Sequence, residues 1–197
     1  METTARNTAH STEYSPEHSA TQSMSYLTDA HKTAAKRISL LSDGKSVMAT
    51  LSHFGRHLMQ SDLPENLLHL VYYRVSQING CAFCLDMHSK DLLAGGENVQ
   101  RLLTLDAWRE TPFFSPKERA ALGWAEAVTK LSHGEVPEAI YQEAARHFSA
   151  AQLMDLTLGV AAINTYNRFN IAFPPEVGGY TPGMFAPKKV ENKAKLS

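Results

Sequence analysis

The 197-residue chain has two cysteines, three positions apart in Ser76-Gln77-Ile78-Asn79-Gly80-Cys81-Ala82-Phe83-Cys84-Leu85-Asp86-Met87-His88. A Cys-x-x-Cys pair can exchange between dithiol and disulfide, or it can ligate a metal. Asn79-Gly80 is a turn signal, so Cys81 falls at or just before a helix start and Cys84 in the first turn. A helix N-terminus carries about half a positive charge, which favours the thiolate, the reactive form of the side chain. His88 follows Cys84 by four residues on the same helical face, where a donor N–H or an imidazolium would favour the Cys84 thiolate further. These features assign Cys84 as the attacking thiolate and Cys81 as the resolving thiol. A disulfide needs Cβ atoms about 3.5–4.5 Å apart, whereas helical positions three apart hold them about 5–6 Å apart. Closure is therefore easiest with Cys81 at the helix cap, where Gly80 leaves room for adjustment.

A partner helix is readable too. If the helices flanking the Ile78/Asn79 junction fold back antiparallel, positions summing to about 157 lie opposite one another. That pairs His69 with His88, Tyr73 with Cys84 and Ser76 with Cys81, with His69 available for proton transfer. Two plainer readings compete. Cys81, Cys84, His88 and His69 could form a Cys2His2 zinc set, but the chain has no second closely spaced ligand pair, and no metal is expected. Free cysteines are also often small core hydrophobes. Redox spacing after Asn-Gly, with a histidine one turn on, favours the dithiol.

The elements that must position these groups read almost entirely as helix. Residues 44–60 and 64–78 carry apolar side chains at three- and four-residue spacing, the second as Leu67, Val71, Val75 and Ile78. Gly95-Gly96 ends a helix that starts near Cys81, and His133-Gly134 ends another. Ser115-Pro116-Lys117-Glu118 and Ser149-Ala150-Ala151-Gln152 are capping boxes, and Pro137 opens a further helix. Trp108 and Trp124 fall on apolar stripes as core residues. No alternating strand pattern occurs, so the expected fold class is all-α, an antiparallel bundle of about six to eight helices. Helix 64–78 is apolar nearly all round, which predicts burial on more than one side and an oligomer.

Composition narrows the function classes. Nineteen basic residues against twenty acidic ones leave a net charge of −1, with no electrostatic footprint for nucleic acid or an anionic membrane. No apolar run reaches the roughly 18 residues of a membrane span. Residues 1–25 are rich in Ser and Thr and poor in large aliphatics, and are expected to form a flexible extension without a secretory signal. Residues 26–185 are read as the helical domain and 186–197 as a Lys-rich tail. The expected location is the cytoplasm. His10, His18, His31 and His147 follow no metal-ligand spacing.

LVYYRVSQINGCAFCLDMHSKDLLAGG resembles the core of the alkylhydroperoxidase AhpD-like branch of the carboxymuconolactone decarboxylase family. The resemblance continues through RLLTLDAWRETPFFSPKERAALGWAEAVTKLSHGEVPEAIYQEA and LTLGVAAINTYNRFNIAF, covering roughly residues 45–173. It implies an AhpD-like helical fold assembling as homo-trimers or hexamers. It also implies hydroperoxide reduction, a peroxiredoxin-type antioxidant activity, with an external dithiol or redox protein as reductant and no bound cofactor. By position, Cys84 matches the family's peroxidatic cysteine, Cys81 the resolving cysteine and His88 the supporting histidine. Two residues depart from the pattern. His69 stands where the family has its proton-relay carboxylate, and Phe83 where well-studied peroxidases have a histidine. Histidine relays protons with an ordinary pKa near 6.5 but is no anionic base at pH 7, so the change bears on peroxidase efficiency more than on thiol chemistry. Asn164-Thr165-Tyr166-Asn167-Arg168 closes the pattern; its residues could line the site or an interface, a polar helix end is the simpler reading, and Arg168 could attract an acidic substrate. A non-redox decarboxylase-like enzyme and a thiol-based redox sensor remain the alternatives.

Overall fold

A computed structural model describes residues 38–40 and 42–185. The extension read at 1–25 and the tail read at 186–197 lie outside the described residues. Within them the chain is all-helical: α1 Lys45–Leu58, α2 Glu65–Asn79, α3 Ala82–Ala94, α4 Val99–Leu103, α5 Pro116–Lys130, α6 Glu138–His147 and α7 Ala150–Ala172. Two 3-10 segments, Leu105–Glu110 and Ser132–Gly134, fill the connections on either side of α5. No helix among the described residues is long and apolar enough to cross a membrane.

Helix starts follow the local chemistry. Ser115 accepts from the Glu118 amide while the Glu118 carboxylate accepts from the Ser115 amide, and Ser149 and Gln152 make the same reciprocal pair at α7. Each satisfies two amide donors that the first helical turn otherwise leaves without partners. The stop of α5 differs from the expected His133-Gly134. It comes at Lys130, because Leu131 (φ 40°) and His133 (φ 62°) already take left-handed backbone before Gly134.

α2 is the central element. Leu67, Leu68, Val71 and Val75 face one apolar cluster, shared with α5, α6 and α7. Leu70 faces a second, with Leu92, Leu105, Trp108 and Leu122. A helix apolar on several sides is thus explained inside one chain, because each side meets a different core. Gly159 of α7 lets that helix come close to α2: a Cβ there would lie 3.3 Å from Leu68 Cδ2 and 3.4 Å from Tyr72 Cε1.

Both tryptophans are core residues, as their stripes predict, and both have a partner for the indole N–H. Trp124 Nε1 donates to Thr157 Oγ1 at 3.0 Å, and Trp108 Nε1 to Glu126 Oε1 at 2.9 Å. Glu126 is buried and also accepts from Arg74 Nε (2.8 Å) and Arg109 Nη1 (2.7 Å), with Arg74 reaching Asp106 as well. Burial pushes the Glu126 carboxyl up, but hydrogen bonds from Trp108, Arg109 and Arg74 hold it below its ordinary value. A satisfied buried charge of this kind clamps the 3-10 segment to α2 and α5.

Candidate functional site

The turn between α2 and α3 places the thiols. Gly80 takes left-handed backbone (φ 69°), its amide bonds Gln77 O at 3.3 Å, and the Cys81 amide bonds Ser76 O at 3.1 Å. This is a Schellman closure, which favours glycine at the left-handed position. The next residue, Cys81, is the N-cap of α3, so one side chain sits at the end of one helix and the start of the other. Cys84 follows in the first turn, and both are buried free thiols.

The proton of the pair is unevenly held. The Cys81 thiol is drawn down to about 7, first by the Cys84 S–H that donates to it. Burial opposes this, while the Cys84 amide, the Asn167 side chain and the Phe83 amide support it. The Cys84 thiol is pushed up, first because its S–H is committed to Cys81 and then by burial; Asn170 and Asn167 pull the other way. Negative charge on the pair is therefore favoured on Cys81 over Cys84. This order runs against a resting Cys84 thiolate, first because the Cys84 S–H is committed to Cys81 and then because first-turn amides favour Cys81. The N-cap side chain faces the free amides of the first turn, whereas a first-turn side chain lies beside the helix.

The antiparallel pairing brings His69 and His88 together, with Nδ1 atoms 3.4 Å apart and ring centroids 5.4 Å apart. Burial, and then the neighbouring His69, lowers His88 to about 3, so the ring is neutral and the imidazolium alternative fails. Burial also lowers His69, partly offset by Asp91 and Glu65. His88 Nε2 is buried with no hydrogen-bond partner among the described residues. Ser76 lies under the pair, its hydroxyl accepting from Asn167 Nδ2 at 3.0 Å. Tyr73 is not brought to the thiols; it packs on the Leu70/Leu92 cluster. The ring beside His88 is that of Tyr72, with centroids 5.3 Å apart, because one residue along a helix rotates the side chain by about 100°.

Asn170 escaped the sequence reading, which preferred a polar helix end to a site role for Asn164 and Asn167. Asn170 Nδ2 lies 3.2 Å from Cys84 Sγ. Asn167 is fully buried, and Asn79 Nδ2 donates to both Asn164 Oδ1 (3.0 Å) and Asn167 Oδ1 (2.9 Å). The available signal was Asn164, Asn167 and Asn170 at three-residue spacing within an otherwise apolar helix. Buried amides at that spacing need polar partners. Arg168, in contrast, is exposed and bonds the Asn164 carbonyl at 2.8 Å. Lys90 Nζ bonds the carbonyls of Gly178 (2.9 Å) and Tyr180 (3.1 Å), which ties the segment after α7 across α3. Phe185 at its end meets Phe83, the residue between the cysteines, at 6.5 Å between centroids.

The Carboxymuconolactone decarboxylase family profile matches residues 45–127. The uncharacterized protein YdfG of Bacillus subtilis is 37% identical over 138 residues, spanning 70% of this chain and 94% of its own length. A crystal structure of a protein of unknown function from Agrobacterium tumefaciens, described as a candidate antioxidant defence protein AhpD, is 33% identical. Its TM-score is 0.69, covering 73% of this chain and 98% of that one. A peroxidase-related protein from Ralstonia eutropha, described as an alkylhydroperoxidase AhpD core, shares the fold alone at 22% identity and TM-score 0.59, covering 68% and 70% of the two chains. The chain belongs to the carboxymuconolactone decarboxylase family, in its AhpD-like branch.

Proposed function

We propose that the protein is a thiol-dependent peroxidase that reduces hydroperoxides through the Cys81/Cys84 pair and is recharged by an external dithiol or redox protein. The observation that carries this reading is a pair of free thiols sharing a proton at a helix start, one of them drawn down to about 7. Because negative charge on the pair is favoured on Cys81, attack by Cys84 begins with its proton passing to Cys81. The Cys84 thiolate then attacks the terminal peroxide oxygen, the O–O bond breaks, and the alkoxide leaves as alcohol after taking a proton from the His88/His69 relay. Cys84 becomes a sulfenic acid; Cys81 passes the proton it took to the His88/His69 relay and attacks the sulfenic sulfur as thiolate, and the displaced hydroxide takes a proton from solvent to leave as water as the disulfide forms. A dithiol returns two electrons and two protons to the pair. Asn170 donates to the Cys84 sulfur throughout.

The lowered Cys81 thiol favours one variant of this reading, in which Cys81 attacks directly and Cys84 resolves. A single experiment separates them. Turnover of a small organic hydroperoxide is followed with excess dihydrolipoamide, and sulfenic acid is trapped in Cys81→Ser and Cys84→Ser. Loss of turnover in both variants, with sulfenic acid on Cys84 in Cys81→Ser, is expected. Trapping on Cys81 alone reverses the roles, and undiminished turnover in both variants overturns the function. Oxidation without turnover would favour a redox sensor instead. Homo-oligomers of three or six chains belong to this proposal, supported by the exposed apolar side chains Val99, Leu103, Met154 and Ile171; sedimentation as a monomer would contradict them.

A further inference from the structure

Beside the thiols three side chains converge: His69 and His88, the proposed proton relay, and Asp91, which the peroxidase reading does not use. His69 of α2 and His88 and Asp91 of α3 each offer one ligand atom, and these atoms lie within 4.8 Å of one another. His88 and Asp91 are three apart on one helical face, and His69 faces them from the antiparallel neighbour. The His69 and His88 Nδ1 atoms are 3.4 Å apart, and His69 Nδ1 is 4.0 Å from Asp91 Oδ2. Tetrahedral zinc with bonds of about 2.0–2.2 Å holds its ligand atoms about 3.3 Å apart, so the imidazole pair already has the spacing, while the carboxylate, within 4.8 Å of the nitrogens, needs an approach of up to about 1.5 Å.

We propose that His69, His88 and Asp91 form a binding site for a first-row divalent transition-metal ion, with Zn²⁺ the best chemical match. Two imidazoles and one carboxylate suit zinc and cobalt better than magnesium or calcium, which take oxygen ligands. With both rings protonated at Nε2, the two Nδ1 lone pairs point into the same space, and a dication between them removes their repulsion. The outer contacts orient Asp91, whereas the His88 Nε2–H has no acceptor among the described residues. The Tyr180 hydroxyl donates to Asp91 Oδ1 at 2.8 Å and orients the carboxylate, and His69 Nε2 has Glu65 Oε1 at 3.9 Å. Among the described residues, Asp91 pairs with no lysine or arginine, so its charge is free for a cation. Three protein ligands leave a fourth position open to water. The competing state of the same residues is a metal-free chain, with one proton between the Nδ1 atoms.

A metal on the two Nδ1 atoms would occupy the proposed relay, so the site is read by metal binding rather than turnover, in protein without the thiols, which would themselves bind zinc. Untagged full-length Cys81→Ser/Cys84→Ser protein is titrated with Co²⁺, read by its visible ligand-field absorption, and then competed with Zn²⁺. One ion per chain is expected, with affinity falling at least tenfold in His69→Ala and in Asp91→Asn, and about tenfold in Tyr180→Phe. X-ray absorption of the zinc form should show nitrogen and oxygen neighbours only. His69 is half-buried at the helix surface, so its variant keeps the fold, and circular dichroism verifies this for all three. No binding by the thiol-free protein, or binding indifferent to both His69→Ala and Asp91→Asn, overturns the proposal.

Discussion

Replacing Asn170 by alanine tests where the negative charge rests and where it moves. Asn170 Nδ2 is 3.2 Å from Cys84 Sγ, and it has no part in lowering Cys81. While Cys84 is a thiol, this is a neutral hydrogen bond, with a net contribution of about 0.5–1.5 kcal/mol. When Cys84 becomes the attacking thiolate, the same bond is to an ion, at about 1.5–3 kcal/mol. The difference, about 1–1.5 kcal/mol, falls on the activated state alone. At about 1.36 kcal/mol per tenfold change, Asn170→Ala should slow oxidation of the pair by about 5- to 13-fold. The Cys81 midpoint near 7 should stay in place. Oxidation is measured as single-turnover loss of reactive thiols after mixing with tert-butyl hydroperoxide, and the midpoint as the pH dependence of iodoacetamide alkylation. An unchanged oxidation rate would refute attack by a thiolate on Cys84. An upward shift of the midpoint would refute a resting charge on Cys81.

Three further outcomes follow from the geometry. Alkylation of the wild-type pair should rise with pH through about 7, because the thiolate is the reacting form, and mass spectrometry should find the label on Cys81. In Cys84→Ala the largest cause of that lowering is gone, so the midpoint should climb toward the ordinary value of about 8.5; a midpoint still near 7 would show that the helix amides suffice. Glu126→Leu leaves the buried Arg74 without its main carboxylate, and removing one member of such a pair is worth about 3–5 kcal/mol, or a Tm lower by roughly 6–20 °C. An unchanged Tm by calorimetry would mean that Asp106 and Gln77 compensate. Ser115→Ala breaks one capping box and should lower Tm by roughly 2–4 °C, from a loss of about 1 kcal/mol.

Much of the fold was legible because its signals are local. Both capping boxes form as read, since Ser, Glu and Gln reach amides three residues away. The Asn79-Gly80 turn is where the chain reverses, and the antiparallel register correctly opposes His69 to His88. The same register misassigned Tyr73, because its precision of one residue exceeds what helix rotation tolerates. The left-handed Leu131 ending α5 was illegible, since leucine carries no local preference for that backbone.

The sequence by itself determined that this is a helical protein and set Cys81, Cys84 and His88 along one hairpin. Cys81 and Cys84 interact three positions apart, where spacing and helix geometry are sufficient. Tertiary structure alone decided the environment that tunes them. Asn170 reaches Cys84 from 86 residues away, Asn167 reaches Ser76 from 91, and Tyr180 reaches Asp91 from 89. Burial, which neutralises His88, likewise depends on how α2, α3 and α7 pack. Such contacts depend on the rotation and distance of packed helices, quantities that no local pattern encodes. The thiol pair was therefore visible in the sequence, whereas the side on which its proton rests was not.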